Sequence, residues 1–173
     1  MKRLLLSFLL LCSVPCWSQS GPQDLKVYFS PNGGCTAAIV DALAAAKKTV
    51  LVQAYSFTSA PIAKALVDAH KRGVDVQVIL DKSQRTERYT SATFLANEGV
   101  PTYIDEKHKI AHNKVMIIDG QTVITGSFNF TKSAEEGNAE NLLVINNCPE
   151  LAQRYAQNWR EHLQHSEPYQ PRN

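Results

Sequence analysis

The 173-residue chain lacks a run of apolar residues long enough to span a bilayer. The apolar stretch at its start, Leu4 to Val14, is well short of the roughly 20 residues that a spanning helix needs. It follows a short basic start and precedes small residues near Ser18, which is the layout of a secretory signal peptide. We therefore predict a signal peptide at residues 1–18, a mature domain at residues 19–173 and a periplasmic or secreted location. An uncleaved N-terminus that anchors the chain is the alternative.

The chain also lacks an excess of charge of either sign. It contains 18 basic and 16 acidic residues, and loss of residues 1–18 removes Lys2 and Arg3 but no acid, which leaves 16 of each. A formally neutral mature chain does not indicate a polyanionic partner. An argument for nucleic acid as the substrate must therefore come from local groups.

Cysteine is scarce as well. Two of the four cysteines lie in the predicted signal peptide, so that Cys35 and Cys148 remain. In an oxidising compartment the two thiols can pair, and closing so long a loop adds about 4 kcal/mol if the stabilisation comes from chain entropy. The sequence leaves a disulfide and two free thiols equally open.

No low-complexity linker or internal repeat divides the rest of the chain, and about 155 residues suffice for one domain with a full core. Short apolar runs predict strands at Leu25–Phe29, Thr49–Tyr55, Val74–Leu80, Val100–Ile104 and Asn141–Ile145. Helical periodicity predicts helices at Thr36–Lys48, Ala60–Arg72, Ser91–Asn97 and Pro149–His165. This alternation predicts a layered α/β domain. We expect Pro168–Asn173 to fray.

The segment HNKVMIIDGQTVITGSFNFT, which begins at His112, sets polar side chains around an apolar hairpin. Asp119-Gly120 is a strong hairpin signal, so the strand Asn113–Ile118 turns there and returns as Thr122–Thr125. Strand alternation puts His112 and Lys114 on one face, about 7 Å apart along the strand. A nucleophile and a cation would then face the same pocket.

The returning strand carries Ser127 and Asn129 back toward His112. Imidazole is nucleophilic while neutral near neutral pH, and such a group can attack an anionic substrate. His112 is therefore the candidate nucleophile. Lys114, Ser127 and Asn129 are candidates for binding the anionic oxygens of a substrate and the charge of the transition state. These groups show no metal-ligand spacing, and we predict neither a metal nor another cofactor.

A longer string of residues carries a resemblance to a known family. It reads His-x-Lys-x4-Asp from His112, Gly-Ser-x-Asn from Gly126 and Asn-x-Glu from Asn138. The string resembles the phospholipase D superfamily and, within it, the small secreted nucleases. The segments AYSFTSAPIAKAL, HKRGVDVQVILDKSQ, TGSFNFTKSAEEGNAENLLVI and PELAQRYAQNW share this likeness, which covers nearly all of the mature chain. It implies a single α/β domain whose mixed sheet is flanked by helices on both faces.

The resemblance also implies roles for two acidic residues. Glu140 is the acceptor that holds the second ring nitrogen of His112 and stabilises the cation formed on attack. Asp119 belongs to the motif but lies at the turn and on the wrong face, so we assign it to support of the hairpin.

Enzymes of this family bring two copies of the motif to one site, where the second histidine acts as acid and then as base. This chain has one copy, so the resemblance implies a twofold homodimer in which the two His112 side chains meet. The implied substrate is DNA, with RNA as a second one, and the implied intermediate of hydrolysis is a phosphohistidine. We expect no stable membrane association of the mature chain. Two rivals stay open: a phospholipid hydrolase with an uncleaved anchor, and a nucleic-acid-binding module without activity.

Several weaker signals have two interpretations. Three basic residues follow the carboxyl end of a predicted strand: Lys82, Arg85 and Arg88. They either guide a polyanion or lie in a solvated loop. Gly33-Gly34 forms an anion-binding nest or a tight turn. His108 and His112 have the spacing of helical metal ligands, but in an extended segment their rings would lie about 13 Å apart, so we predict no metal pair there.

Overall fold

A mixed sheet with helices on both faces makes up the part of the chain that the computed structural model describes, residues 24–87 and 89–171. Within these residues the strands are β1 (Asp24–Phe29), β2 (Thr49–Ala54), β3 (Asp75–Asp81), β4 (Thr102–Asp105), β5 (Lys114–Ile118), β6 (Thr122–Gly126), β7 (Asn141–Asn146) and β8 (Ser166–Pro168). The helices are α1 (Cys35–Ala45), α2 (Ala60–Lys71), α3 (Ala92–Asn97), α4 (Lys132–Glu136) and α5 (Pro149–Leu163), and Lys82–Arg85 forms a 3₁₀ turn. The predicted signal peptide lies outside the described residues.

The strand order is β1-β7-β6-β5-β2-β3-β4-β8. β2, β3 and β4 run parallel, with α2 and α3 in their connections, whereas every other neighbouring pair is antiparallel. The prediction of a mixed α/β sheet is confirmed. The elements predicted from periodicity are all present, with bounds that differ by one to three residues.

Two apolar cores cover the two faces of the sheet. The larger joins side chains of α1 and α2, such as Ile39 and Leu66, to every second residue of the central strands. The smaller packs α5 against the opposite face through the buried Trp159, whose indole N–H donates to the Val52 carbonyl at 2.9 Å. The face of α5 that carries Leu151, Tyr155, Trp159 and Leu163 is therefore core packing. Across residues 24–87 and 89–171, no helix combines the length and the apolar character that crossing a membrane requires.

The expected fraying of the C-terminal segment is wrong for the residues that the structure describes there. Ser166–Pro168 pairs with β4 as an edge strand. Tyr169 is buried, its N–H donates to the Thr102 carbonyl at 2.8 Å, and its hydroxyl lies 2.8 Å from Thr93 Oγ1. A three-residue strand gives no periodic signal, so the sequence pattern could not indicate this pairing.

The two cysteines form no disulfide with each other. Both are buried, Cys35 at the start of α1 and Cys148 just before α5. The amide of Cys148 bonds to Gln121 beside the β5–β6 turn, whereas Cys35 follows the loop after β1 at the opposite edge of the sheet. Burial raises the pKa of the Cys35 thiol to about 11, with a smaller contribution from Glu135. Cys35 is therefore a poor thiolate nucleophile at neutral pH.

Asp119 ties the β5–β6 turn to the start of β2. It and Gly120 both have positive φ angles, 54° and 64°, as the central residues of a type I′ turn require, and the Gln121 N–H donates to the Ile118 carbonyl at 3.0 Å. The Asp119 carboxylate accepts the backbone N–H groups of Lys47 (3.0 Å), Lys48 (2.7 Å) and Thr49 (3.0 Å). Burial acts to raise the pKa of this carboxyl, but the three backbone donors outweigh it and hold the pKa below its usual value.

Replacement of Asp119 should reduce stability in a pH-dependent way. Asp119→Ala removes the acceptor of three backbone donors, so the free energy of unfolding should fall by about 1–3 kcal/mol near neutral pH. Because the folded-state pKa is lowered, the contribution of the carboxylate is present above its unfolded pKa of about 3.9 and is lost as the pH falls through the folded value.

Urea unfolding of wild type and variant near neutral pH and near pH 3 measures this difference. The exposed Asp41 of α1 supplies the control, since Asp41→Ala removes an acid of the same type from the surface. A loss of stability in Asp119→Ala that is equal at both pH values would contradict the assignment.

Candidate active site

The predicted catalytic segment enters the sheet beside the carboxyl end of β2. β5 runs antiparallel to β2 with Ala54 opposite Lys114, and the Tyr55 N–H donates to the Asn113 carbonyl at 2.8 Å. The residues that precede β5 therefore lie against those that follow β2. This edge of the sheet also collects the ends of β1, β3 and β6 and the start of β7.

His112 and Lys114 meet over the ring of Tyr55. The imidazole of the exposed His112 lies 4.6 Å from the Tyr55 ring, centre to centre, at an angle of 50°. The Lys114 ammonium lies 5.2 Å from the centre of the same ring and donates to the His112 carbonyl at 2.8 Å. The structure thus brings the two predicted residues together. Tyr55 was not among the predicted site residues, because its contact with His112 joins segments far apart in sequence.

The Lys114 side chain is a buried cation. It is 7% exposed, and within residues 24–87 and 89–171 it forms no ion pair. Burial lowers the pKa of its ammonium, and the charge of Glu140 opposes this shift. A desolvated ammonium is costly to the fold, and such groups occur mostly where an anion binds.

Ser127 and Asn129 follow β6 on the side of β5. Continuing the β5–β6 register, Met116 with Ile124, puts the residues after Gly126 beside His112. Ser127 Oγ accepts from the backbone N–H and the side-chain amide of Asn141, at 3.1 and 3.2 Å. Its lone pairs are engaged, so its own O–H remains a donor.

The Asn129 side chain has a buried oxygen that no described residue satisfies. Its Oδ1 makes no hydrogen bond within the described part of the chain. An unsatisfied buried amide oxygen is rare in folded proteins. Because Oδ1 only accepts hydrogen bonds, the NH₂ group of Asn129 is the part of the side chain that can donate to an anion.

Gly126 fixes the direction in which the chain leaves β6. Its φ is 148°, and a Cβ at this position would lie 2.2 Å from the Asn141 carbonyl oxygen. That oxygen accepts the N–H groups of Ser127 and Phe128 at 3.1 and 3.2 Å. The glycine is therefore required for the close approach that orients Ser127 and the residues after it.

Glu140 lies just before β7 but does not reach the imidazole in this structure. Its backbone N–H donates to Ser30 Oγ at 3.1 Å, and its Oε1 accepts from the Asn138 side-chain amide at 3.0 Å. Among the described residues it makes no hydrogen bond to His112. Its charge does act on Lys114. The assignment of Glu140 as the acceptor for His112 stays a prediction.

Asp119 lies at the far end of β5 from His112. Five strand residues separate it from the site, roughly 17 Å at the usual rise, and its carboxylate is engaged by the residues around the start of β2. It contacts none of the reacting groups. Its place agrees with support of the hairpin.

The basic residues after β3 bind to neighbouring segments of the chain, the β4–β5 loop and β8. Lys82 Nζ donates to the His108 carbonyl at 2.9 Å. Arg85 Nε lies 2.7 Å from a Glu106 oxygen, and another Arg85 nitrogen lies 3.4 Å from Glu167. These contacts favour a structural role over the guidance of a polyanion. Arg88 lies outside the described residues.

The Gly33-Gly34 turn holds a carboxylate of the chain itself. Glu135 accepts the N–H of Gly34 at 3.2 Å and that of Thr36 at 2.7 Å. The start of α1 is thus capped from within. Potential metal ligands gather elsewhere, around Asp105, and include none of the predicted catalytic residues.

Comparisons with known proteins agree with this geometry. Residues 39–163 match the family of the cardiolipin synthase, phospholipase D-like domain. The chain is 42% identical over 142 residues to a protein named phospholipase D from Rickettsia bellii, a match that covers 82% of this chain and 70% of that protein. It is 32% identical over 102 residues to a mitochondrial cardiolipin hydrolase of Xenopus laevis, covering 59% of this chain and 49% of that protein.

Solved structures give the same result. The fold matches Nuc, a phospholipase D family member from Salmonella typhimurium, with a TM-score of 0.83 and 40% identity over 86% of this chain and 99% of that chain. NucT from Helicobacter pylori shares the fold with a TM-score of 0.77 at 24% identity, over 86% of this chain. With the family match, the sequence identity and the arrangement of His112 and Lys114 together, the chain belongs to the phospholipase D superfamily and is a phosphodiesterase of that group.

Proposed function

We propose that this phosphodiesterase is a non-specific endonuclease that hydrolyses DNA, and RNA as a second substrate, through a covalent phosphohistidine. The observation that carries the proposal is the exposed imidazole of His112 beside the buried ammonium of Lys114, both against Tyr55. A neutral nucleophile next to a desolvated cation suits attack on an anionic phosphodiester. The predicted signal peptide supports a periplasmic or secreted location.

In the first step an imidazole nitrogen of His112 attacks phosphorus. A P–N bond forms, the P–O bond to the leaving oxygen breaks, and that oxygen takes a proton from an acid. Lys114, the Asn129 amide and the Ser127 hydroxyl bind the non-bridging oxygens and the charge that builds on them. In the second step water attacks phosphorus, the former acid takes its proton, and the P–N bond breaks to release His112.

The acid in this scheme is the His112 of a second copy, because the chain carries the motif once. An exposed apolar face of the sheet supports a dimer. Leu25, Val27 and Phe29 point to the same side of β1 and are 57, 55 and 63% exposed. On that side α5 packs mainly over β2, β4, β5 and β6. The strand ends next to Ser30, which bonds Glu140, so a copy docked on this face would border the site.

One cavity keeps a phospholipid as the second candidate substrate. A largely apolar groove of about 790 Å³ lies between the start of α2 and the segment before α3, with Tyr89 and Phe94 exposed along it. It adjoins the site, because the Thr58 N–H at its rim donates to the carbonyl of Phe130, the residue after Asn129. An acyl chain would fit such a groove. A phospholipid substrate is also what the names of the Rickettsia and Xenopus relatives suggest.

The same groove suits a nucleic acid. Exposed aromatic rings stack on unpaired bases, and the nearby Lys64 can meet a backbone phosphate. The resemblance to small secreted nucleases and the match to nearly the whole of Nuc favour this substrate.

Cleavage of DNA should survive an excess of EDTA. Lys114, Asn129 and Ser127 supply the electrostatic stabilisation that a metal ion gives in other phosphodiesterases, so the rate should change less than about twofold. The assay incubates the mature chain with plasmid DNA, RNA or phosphatidylcholine vesicles, with and without EDTA, well below the melting temperature. His112→Ala, prepared in the same way, detects a contaminating nuclease. Activity that disappears on chelation and returns with Mg²⁺ would exclude the proposed chemistry, and turnover of vesicles alone would favour the phospholipid.

His112 should carry the phosphoryl group during turnover. His112→Ala should lower kcat/KM by at least about 10³-fold and leave the fold intact, because the residue is exposed and lies outside β5. A quench that avoids acid, followed by mass spectrometry, should show a phosphorus adduct on the wild-type His112 peptide. His70→Ala, which changes a histidine of α2, serves as the control. Net inversion of configuration at phosphorus would show a single displacement and rule out the intermediate.

Mixed dimers should report whether two chains share one site. Wild type and His112→Ala are unfolded, mixed at a mutant fraction x and refolded, so that subunits pair at random. If one His112 is the nucleophile and the other the acid, activity follows (1 − x)², whereas independent sites give 1 − x. At equal mixing the two laws differ by about a factor of two. A tagged subunit verifies the exchange, and a straight line would place the acid within one chain.

A further inference from the structure

Four side chains with metal-binding atoms converge beside the β4–β8 pair, away from His112: Asp105, His108, His162 and His165. They include three of the five histidines of the chain. Asp105 ends β4, His108 lies in the β4–β5 loop, His162 is in the last turn of α5, and His165 lies between α5 and β8. The sequence spacing could not reveal this group, because 57 and 60 residues separate Asp105 from the last two histidines.

The four groups already have the dimensions of a metal shell. Asp105 Oδ2 lies 2.9 Å from His108 Nδ1, 2.7 Å from His162 Nδ1 and 3.4 Å from His165 Nε2. One ligand atom from each residue lies within 4.8 Å of all the others. In a tetrahedral zinc site with bonds of about 2.0–2.1 Å, neighbouring ligand atoms are roughly 3.3 Å apart. Small side-chain adjustments would therefore suffice to close the shell around one ion.

Hydrogen bonds alone account poorly for this arrangement. Three ring nitrogens face a single carboxylate oxygen, which offers two lone pairs. The three rings also crowd one another, with centres 4.7, 5.2 and 5.4 Å apart, so protonation of all three would put like charges in contact. A metal cation between the rings would be coordinated by the lone pairs of the ring nitrogens, which would replace the hydrogen bonds to Asp105.

Asp105 is suited to be the anionic ligand. Its side chain is fully buried, which acts to raise the pKa of its carboxyl, but hydrogen bonds from His162 and His108 outweigh burial and lower the pKa to about 2. Its other oxygen, Oδ1, accepts the backbone N–H groups of Lys107 at 3.1 Å and His108 at 3.4 Å. The carboxylate is therefore ionised and fixed by outer contacts, as metal-binding carboxylates commonly are.

The site is both enclosed and accessible. The side chains of His162 and His165 are 13 and 22% exposed, whereas that of His108 is 44% exposed. An ion can reach Asp105 past His108 without unfolding the chain.

We propose that Asp105, His108, His162 and His165 bind one transition-metal ion, Zn²⁺ above all, in a closed tetrahedral site. Three imidazoles and one carboxylate suit Zn²⁺, Co²⁺ and Ni²⁺ better than Mg²⁺ or Ca²⁺. Four protein ligands leave no open position, which is the pattern of structural sites. The ion would join the end of α5 and the start of β8 to the loop that leads to His112. This site is independent of the proposed phosphodiesterase chemistry.

Metal titration of the chain without a polyhistidine tag tests the proposal. Protein stripped with EDTA and then dialysed should bind one Co²⁺ per chain, with the strong d–d absorption of tetrahedral cobalt, and Zn²⁺ should displace it. At a hundredfold excess of free Zn²⁺ over the dissociation constant, the melting temperature should rise by about 5–10 °C.

His108→Ala is the first variant, because its side chain is the most exposed of the four and its loss should disturb the fold least. It should weaken Zn²⁺ binding by at least about tenfold and change the cobalt spectrum, because water replaces an imidazole in the fourth position. His165→Gln is the second variant, and His70→Ala, with all four ligands intact, should bind as wild type does.

Two results would overturn the proposal: an octahedral Co²⁺ spectrum in wild type, or equal Zn²⁺ affinity in His108→Ala and His70→Ala. Neither would affect the test of the phosphodiesterase, because cleavage in EDTA is measured separately.

Discussion

The pairing of β2 with β5 at the centre of the sheet is the constraint on which the rest of the structure depends. Its register sets Ala54 opposite Lys114 at one end and Val50 opposite Ile118 at the other. At the first end it brings the residues before β5 against Tyr55, at the candidate active site. At the second end it delivers Asp119 to the backbone amides around Thr49. A slip of one residue would turn Lys114 to the other face and break both ends together.

The motif His-x-Lys-x4-Asp can be understood from this pairing. The eight residues from His112 to Asp119 include the whole of β5, with the predicted catalytic groups at one end and an anchor at the other. Buried Lys114 destabilises the fold, since its ammonium is removed from water without an ion pair among the described residues. The three backbone hydrogen bonds to Asp119 stabilise the same strand at its far end. Asp119, the third residue of the motif, thus supports the site only by fixing the register of β5 on β2.

The sequence could predict those features that are encoded by residues close together in the chain. Periodicity locates the strands and helices because apolar side chains alternate along single elements, and Asp119-Gly120 locates the turn because both residues must adopt positive φ. Neighbours in the chain are thereby predicted. The Tyr55 platform, the edge strand β8 and the contact of Glu140 with Ser30 each join segments far apart in sequence. No local pattern encodes contacts between segments that are distant in the chain, so these contacts could not be predicted from the sequence.

The loop that presents His112, the proposed nucleophile, is held along its length. The buried Asp81 at the end of β3 accepts the Ala111 N–H at 2.7 Å, and Lys82 holds the His108 carbonyl. Beyond them the backbone of Asn113 bonds to Tyr55. His112 is therefore exposed while the backbone on both of its sides is fixed. An imidazole held in this way loses little freedom on attack, so that orientation is provided by the fold before the phosphodiester binds. Flexibility of the loop would remove that advantage, and the contacts of Asp81 and Lys82 restrict such flexibility.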